Sequence, residues 1–392
     1  GSLLMIDTHL HPVSVDTLRN HVGEEVFVIS MGGTKAEGVW IKINDHAEPE
    51  VIADPDTGLP LYTSGKLSKK EYSSPEELFA EVLRHVDAYA KDRPIKNLAF
   101  NFGYRGTTED TRFGIDVISP DDQTKGFRFH GISKRPIGES LVSYMVGTKQ
   151  YHIDSFESLV VLNDTPSVLL ALRKAKLGGI IGTGYNFAIM INGVIYNIEA
   201  GGFSSVPQHT LSRALDFNNP NKSDQLAEKQ ISGLYLGMQM EFAIRALDLD
   251  GIINARIIPR PADEEEKSLP AEAISHILER KQKNIAILKE KFIEGDVEQA
   301  IPYLLPIAER LRDRSAQLVG TKLAAAINTF PAEFPDTDVL VPVAGAVVQY
   351  MPHHKDKAEQ IASQRSEKHV SIQVTDFAEA KGAAAAVFGV KR

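Results

Sequence analysis

The sequence predicts an α/β protein in two domains, and three observations point there. The chain has 392 residues, more than a single hydrophobic core ordinarily organises. Short β-branched runs alternate with stretches of helical periodicity, the pattern of α/β architectures. A strand–glycine turn–strand unit near residues 26–43 is echoed near residues 179–198, which reads as two similar halves. Such halves facing each other across a cleft would bring both glycine turns to one ligand.

Composition narrows the function classes. Hydrophobic residues at 43% and charged residues at 24% describe an ordinary folded protein. A formal net charge of −9, with both signs mixed along the chain, offers nucleic-acid phosphates little to hold. The absence of cysteine excludes a disulfide framework, a thiolate metal site and a cysteine nucleophile, and suits a reducing compartment. No stretch approaches the ~20 apolar residues of a membrane-spanning helix. The start, Gly1 to Met5, turns polar at Asp7, too soon for a signal-peptide core. The expectation is a cytoplasmic protein without nucleic-acid or membrane partners.

Taken in order, Val26–Ile29 is a β-branched run ending at Gly32-Gly33-Thr34, and Gly38–Ile43 follows as its hairpin partner. Ser74 is an N-cap, Pro75 occupies the first helical position, and Glu76 and Glu77 put negative charge in the first turn. Leu78, Val82 and Val86 then recur at helical spacing, so 75–91 is an amphipathic helix. Leu98–Phe102 and Leu159–Leu162 are strands, the latter apolar enough to be buried on both faces. Gly179–Ile191 and Val194–Ile198 form a second hairpin turning at Asn192-Gly193. Helices are expected over Gln225–Leu247, Ala271–Phe292 and Ala308–Asn328. A strand at Val339–Val343, a helix from about Asp356 to Ser366 and an Ala-rich helix over Ala378–Val387 complete the chain. Pro259 to Pro270, with its run Asp263–Glu266, is a solvated loop.

Several polar residues fall at the ends of these elements. Glycine-rich turns after strands let backbone N–H groups approach a polyphosphate, although hairpins also need glycine for steric reasons alone. Asn163-Asp164-Thr165 follows a buried strand and would also serve as a helix N-cap before Pro166. Glu228 lies in a helical stretch, where a glutamate usually faces solvent. Lys125-Gly126 would also make an ordinary turn.

Their order is more telling than any one of them. Leu98–Phe102 is followed by Thr124-Lys125-Gly126-Phe127 and by Val161-Leu162-Asn163-Asp164-Thr165. Gly182-Thr183-Gly184-Tyr185-Asn186, Asn197–Phe203 and Ala227–Tyr235 come next, with Ser315–Leu318 and the Ala-rich end beyond them. This ordered series resembles the eukaryotic-type hexokinases, from about residue 24 to the C-terminus.

The resemblance implies a two-lobed actin-like ATPase (ribonuclease H-like) fold with a cleft between lobes that share a βββαβα plan. Residues 22–165, rejoined by 371–392, would form the small lobe, and 166–370 the large one with the adenosine side. It implies ATP-dependent phosphorylation of a glucose-like hexose at its primary hydroxyl, with Mg2+ held mainly by the nucleotide and no metal ligands from the protein. Asn163, Asp164, Asn186, Glu199 and Glu228 would hydrogen-bond the sugar, and Thr124 and Lys125 would reach in from the small lobe. Asp164 would be the general base and Lys125 would stabilise the transferred phosphoryl group. Gly32, Gly33, Thr34 and Lys35 would form one phosphate turn and Gly182, Thr183 and Gly184 the other, with Gly345 in a late turn of the nucleotide side.

The departures from the family pattern lie mostly on the nucleotide side. Ser30 stands where an aspartate orients the hydrated magnesium, and Glu37 where an arginine is usual. The late turn reads Ala344-Gly345-Ala346 in place of an aspartate before the glycine and a hydroxyl after it. On the sugar strand, Gly103 occupies a serine position, with Tyr104 and Arg105 after it. Two readings follow: an ATP-dependent hexose kinase, which Asp164 and Lys125 favour, and a hexose-binding kinase-like sensor or regulator with little or no catalysis, which Ser30, Glu37 and Ala344 favour.

Overall fold

The computed structural model describes residues 5–32, 35–68, 71–103, 106–118, 123–124, 127–131, 136–153, 156–219, 222–259 and 268–389. The chain divides into two compact units. The first gathers residues 6–178, 188–197 and the stretch from Thr375 onward; the second takes 179–187 and 198–374.

The first unit is built on an eight-stranded mixed sheet. Its strand order is Pro49–Val51, Lys35–Ile43, Glu25–Met31, Asn97–Phe102, Ser158–Leu162, Gly114–Ile118 and Thr107–Thr111, with Tyr62–Lys66 also pairing on Lys35–Ile43. Glu25–Met31 and Lys35–Ile43 make the expected hairpin, with Ser30 opposite Glu37. The inner strands Glu25–Met31, Asn97–Phe102 and Ser158–Leu162 run parallel. Every residue of the last two is buried, because helices cover both faces of the sheet.

The two-residue alternation of the strands divides the core. Phe27, Ile29, Phe100, Leu159 and Val161 meet Leu78, Val82 and Val86 of helix Pro75–Ala90 and Leu141 and Met145 of helix Ile137–Thr148. Val26, Val28, Ala99, Val160 and Leu162 face the other way, onto Leu169 and the Ala-rich helix Ala378–Gly389. Each fully buried Leu, Val or Phe contributes roughly 1.5–3 kcal/mol. The Ala-rich helix lies close against helix Asp164–Leu170: a Cβ on Gly382 would stand 1.7 Å from the Ser167 carbonyl oxygen. Only glycine fits there. Helix Pro75–Ala90 starts as its sequence predicts, with the Glu77 N–H donating to Ser74 Oγ at 3.2 Å.

In the second unit the strand Leu177–Ile181 pairs in parallel with Asp338–Ala344, and that strand with His369–Val374. Tyr185–Ile191 begins beside Leu177–Ile181. It continues into the first unit, where it pairs with Val194–Asn197. The turn residues between them, Asn192 (φ +52°) and Gly193 (φ +77°), have the positive φ values a two-residue hairpin requires.

The helical stretches of this unit differ from expectation in three places. Gln225–Leu247 is two helices, Glu228–Ile231 and Gly233–Leu249, separated by the extended Ser232. The break turns the Gly233 N–H toward the Gly182 carbonyl, 2.7 Å away. Ala271–Phe292 is also two helices, Ala271–Glu279 and Gln282–Lys291, parted by the left-handed Arg280 (φ +53°). The third helix begins not near Ala308 but at Val297, capped by Asp296, and runs 33 residues to Thr329 through Pro302 and Pro306. Both prolines lie on its exposed face, where water serves the two carbonyls whose ladder bonds they remove. Among the described residues no helix is long and apolar enough to cross a membrane.

Candidate functional site

In the first unit the buried strand Ser158–Leu162 delivers Asn163 and Asp164 to the start of helix Asp164–Leu170. Asn163 is the N-cap, its Oδ1 accepting from the Thr165 N–H at 3.2 Å. The same N–H reaches Asp164 Oδ1 at 2.8 Å, and the Thr165 hydroxyl reaches it at 3.2 Å. The capping role is therefore real, and it fixes one oxygen of Asp164. The other, Oδ2, takes no hydrogen bond from the described residues and points toward Gly103, where a Cβ would lie 3.6 Å away. Behind this turn runs a buried polar chain. Ser167 Oγ donates to Asn101 Oδ1 at 2.5 Å and lies 2.9 Å from the Asn163 carbonyl, while Asn101 Nδ2 donates to Ser30 Oγ at 3.0 Å. Ser30 is thereby linked through two side chains to the turn that carries Asp164. Sequence reasoning passed over Asn101 and Ser167, although a polar residue inside an apolar strand is the signal that would have found the first.

At the first glycine turn the Gly32 N–H donates to the Lys35 carbonyl at 3.1 Å; Gly33 and Thr34 lie outside the described residues. Lys35 Nζ donates to Glu37 Oε1 at 2.7 Å, and the Tyr62 hydroxyl donates to the same oxygen. Partial burial works against the Lys35 ammonium, but the hydrogen bond and charge of Glu37 win and its pKa is raised. Glu37 is thus an ion-paired carboxylate, its charge offset by Lys35. Thr124 pairs through its backbone register with Phe127, and Lys125 lies outside the described residues.

In the second unit two glycine turns abut. Gly182 donates to the Gly184 carbonyl at 2.9 Å, and Thr183 stands exposed at the apex. Gly345 has φ +117°, and a Cβ on it would meet the carbonyl of Ile181 at 2.5 Å; a Cβ on Gly182 would lie 3.3 Å from Gly345 Cα. Ala344 is held in register with Ile180.

Three predicted sugar ligands gather beside these turns. Glu228 Oε2 accepts from the Tyr185 N–H at 3.1 Å, and Cβ atoms on Gly184 and Gly201 would lie 3.5 and 3.1 Å from that oxygen. Asn186 Oδ1 accepts from the Phe187 and Ala200 N–H groups at 2.8 and 2.9 Å. Glu199 precedes Ala200 in a left-handed conformation, φ +50° and ψ +46°, which is uncommon for a residue with a Cβ. The next residue after Glu228, Lys229, is 1% exposed and pairs with Asp216 at 2.7 Å. Burial opposes the Asp216 carboxylate, yet Lys229 and the Ser223 N–H hold its pKa below the usual range. That pair anchors the short helix bearing Glu228. Sequence reasoning missed Lys322, whose signal was a lone cation between the buried Val319 and Leu323.

Chemically, each unit presents carboxylates and amides at backbone turns. Such groups donate to and accept from hydroxyls in pairs, and they reject a ligand that leaves one of them unmet.

The hexokinase family model matches residues 176–389, more than half of the chain. The hexokinase of Plasmodium falciparum is 26% identical over 237 residues, which are 54% of this chain and 47% of that protein, so the match spans about half of the relative's length. The hexokinase of Schistosoma mansoni is 21% identical over 385 residues, 91% of this chain and 82% of that protein. The solved structure of the Schistosoma mansoni hexokinase complexed with glucose matches with a TM-score of 0.74 at 18% identity, covering 98% of this chain and 89% of that one. At such identity the likeness establishes the fold, which is α/β and of the two-lobed actin-like ATPase type. With the family model spanning most of the second unit and the C-terminal helix, the chain belongs to the hexokinase family.

Proposed function

We propose that this protein transfers the γ-phosphoryl group of ATP to the primary hydroxyl of a glucose-like hexose. The observation that carries the reading is Asp164. It opens the helix that follows a fully buried strand, one carboxylate oxygen is fixed by Thr165, and the other takes no bond from the described residues. A base needs that arrangement: an orientation set by the protein and an oxygen left to accept the hydroxyl proton. Asn163, Asn186, Glu199 and Glu228 hold the sugar ring, and Thr124 with Lys125 completes the contact, Lys125 countering charge on the transferred group.

The residues present also fit a nucleotide. Gly182 and Gly345 pack backbone against backbone, a Cβ on Gly345 meeting the Ile181 carbonyl at 2.5 Å, and the exposed Thr183 and half-buried Gly345 put backbone of both turns at the surface, where phosphates would lie. Bound there, ATP with Mg2+ supplies the phosphoryl group, the metal being carried mainly by the nucleotide. In the first glycine turn Lys35 is engaged with Glu37, so this chain brings less positive charge there than the family pattern does.

This last feature, with Ser30 and Ala344, favours a second reading in which the protein binds hexose and turns it over little or not at all. One experiment separates them: a coupled phosphorylation assay over a hexose panel with ATP and Mg2+, run alongside calorimetric titration of glucose. The kinase reading expects both binding and product. Binding without product at any ATP concentration selects the sensor reading, and neither binding nor product discards both.

A further inference from the structure

Lys322 lies on the 33-residue helix Val297–Thr329 and reaches the turn that carries Glu199. Its Nζ donates to the Ala200 carbonyl at 3.0 Å. It also stands over two aromatic rings, 4.4 Å from the centroid of Phe203 and 5.7 Å from that of Tyr185. Among the described residues it makes no ion pair. Burial alone pulls its pKa down to about 8, so a charge is being held here without a carboxylate to offset the desolvation. A lysine in that position makes physical sense if the carbonyl and the rings are its partners.

The Ala200 peptide groups are claimed from two sides. The N–H donates to Asn186 Oδ1 at 2.9 Å, and the carbonyl accepts from Lys322. The residue before it, Glu199, has the uncommon left-handed backbone. Such a conformation persists only where its surroundings over-determine it, and here two side chains do so on adjacent groups. Tyr185, the more distant of the two rings, is the residue whose N–H holds Glu228. One cation therefore touches the neighbours of both carboxylates, and it does so from a helix that Ser315 anchors to the Ile231 carbonyl at 3.0 Å.

We infer that Lys322 is a positioning residue for the hexose site, clamping the Ala200 carbonyl so that Glu199 and Glu228 are held in their binding geometry. The inference rests on the sugar-binding role proposed above for those two carboxylates.

The test compares wild type with Lys322→Met, which keeps the apolar stem and loses the charged donor, and with Lys322→Arg, which keeps both charge and donor. In the hexose-free protein, amide hydrogen exchange over residues 198–206 should quicken in Lys322→Met and return toward wild type in Lys322→Arg, while exchange in helix Val297–Thr329 stays as it was. By calorimetry, glucose should bind Lys322→Met at least tenfold more weakly, with Lys322→Arg recovering most of the loss. In the coupled assay KM should rise more than kcat falls. Should Lys322→Met fail to fold, Lys322→Leu, which is also apolar and lacks the donor, carries the same comparison. Wild-type affinity in a folded Lys322→Met or Lys322→Leu protein would overturn the positioning role and leave the sugar site standing. A wild type that binds no hexose would overturn the sugar site, and the positioning role with it.

Discussion

Replacing His354 should make this protein less sensitive to acid. The imidazole is fully buried, with Nε2 2.9 Å from Ser315 Oγ, and Ser315 in turn donates to the Ile231 carbonyl. With its proton so committed, the serine accepts from Nε2–H, and Nδ1 has no partner among the described residues. Protonating Nδ1 would therefore bury a cation whose new N–H has no acceptor. Burial, with Arg312 adding repulsion, pushes the His354 pKa from 6.5 down to about 4. The unfolded chain takes up the proton below about pH 6.5, and the folded protein resists until about pH 4. Stability is consequently lost as pH falls through that window. At about 1.4 kcal/mol per pKa unit the full loss is about 3 kcal/mol, of which about 2 kcal/mol has gone by pH 5. Asp116 works in the opposite sense, because burial pushes its pKa up to about 6 despite three backbone N–H donors. Its contribution is greatest at low pH and is lost as pH rises through about 6, so wild type alone would show a muted slope. The comparison that isolates His354 is urea unfolding of wild type and His354→Gln at pH 7.5, 6.5, 5.5 and 5.0. Circular dichroism should follow it, because Trp40, the single tryptophan, sits in the other unit. Parallel stability curves for the two proteins between pH 7.5 and 5 would refute the reasoning.

Two further substitutions test other parts of the account. Gly382→Ala should destabilise the first unit by about 3 kcal/mol or more in urea unfolding, since the new Cβ meets backbone 1.7 Å away and the two helices must part; a loss under 1 kcal/mol would mean the contact yields easily. On the proposed kinase reading, Asp164→Ala should cut hexose phosphorylation by at least about a thousandfold while glucose still binds, because that reading leaves the other carboxylates and amides on the ring. Near-wild-type turnover in the coupled assay would show that the base lies elsewhere.

Legibility followed the distance over which each determinant acts. Helix Pro75–Ala90 was readable because its cap, its proline and its apolar stripe are all local. Helix Ile137–Thr148 was not, since its own N-cap residue, Pro136, makes no side-chain bond. Its first N–H groups are bound instead by Asp116, which accepts from Gly138 and Glu139 across the fold. Pro302 and Pro306 hid the true start of the long helix, because their exposure on one face is a tertiary fact. The same rule holds for the candidate site. Asn163-Asp164 and the Gly182–Gly184 turn were legible from an ordered series of short motifs. Lys322 gave only the weak signal of a lone cation among apolar residues, because the group it bonds, the Ala200 carbonyl, lies 122 positions away.

The nucleotide-side departures look like separate losses in sequence, but the hairpin register makes Ser30 and Glu37 one feature. They are direct partners across the antiparallel pair, where side chains share a face about 5 Å apart. An aspartate at position 30 would place a second carboxylate against Glu37 and displace the Asn101–Ser30 bond, so the two residues constrain each other. Glu37, in turn, is matched to Lys35 and Tyr62. Ser30→Asp alone should therefore cost about 1 kcal/mol or more in stability and bring no gain in apparent ATP affinity. Glu37→Arg alone should set an arginine beside Lys35 and lose the Tyr62 bond. Together they recreate an opposite-charge pair in register, so the double variant should be more stable than the sum of the single effects by at least about 1 kcal/mol. Under the kinase reading it should also raise turnover at low ATP. A four-protein urea series measures the coupling without reference to activity, and strictly additive effects would show that the two positions act independently.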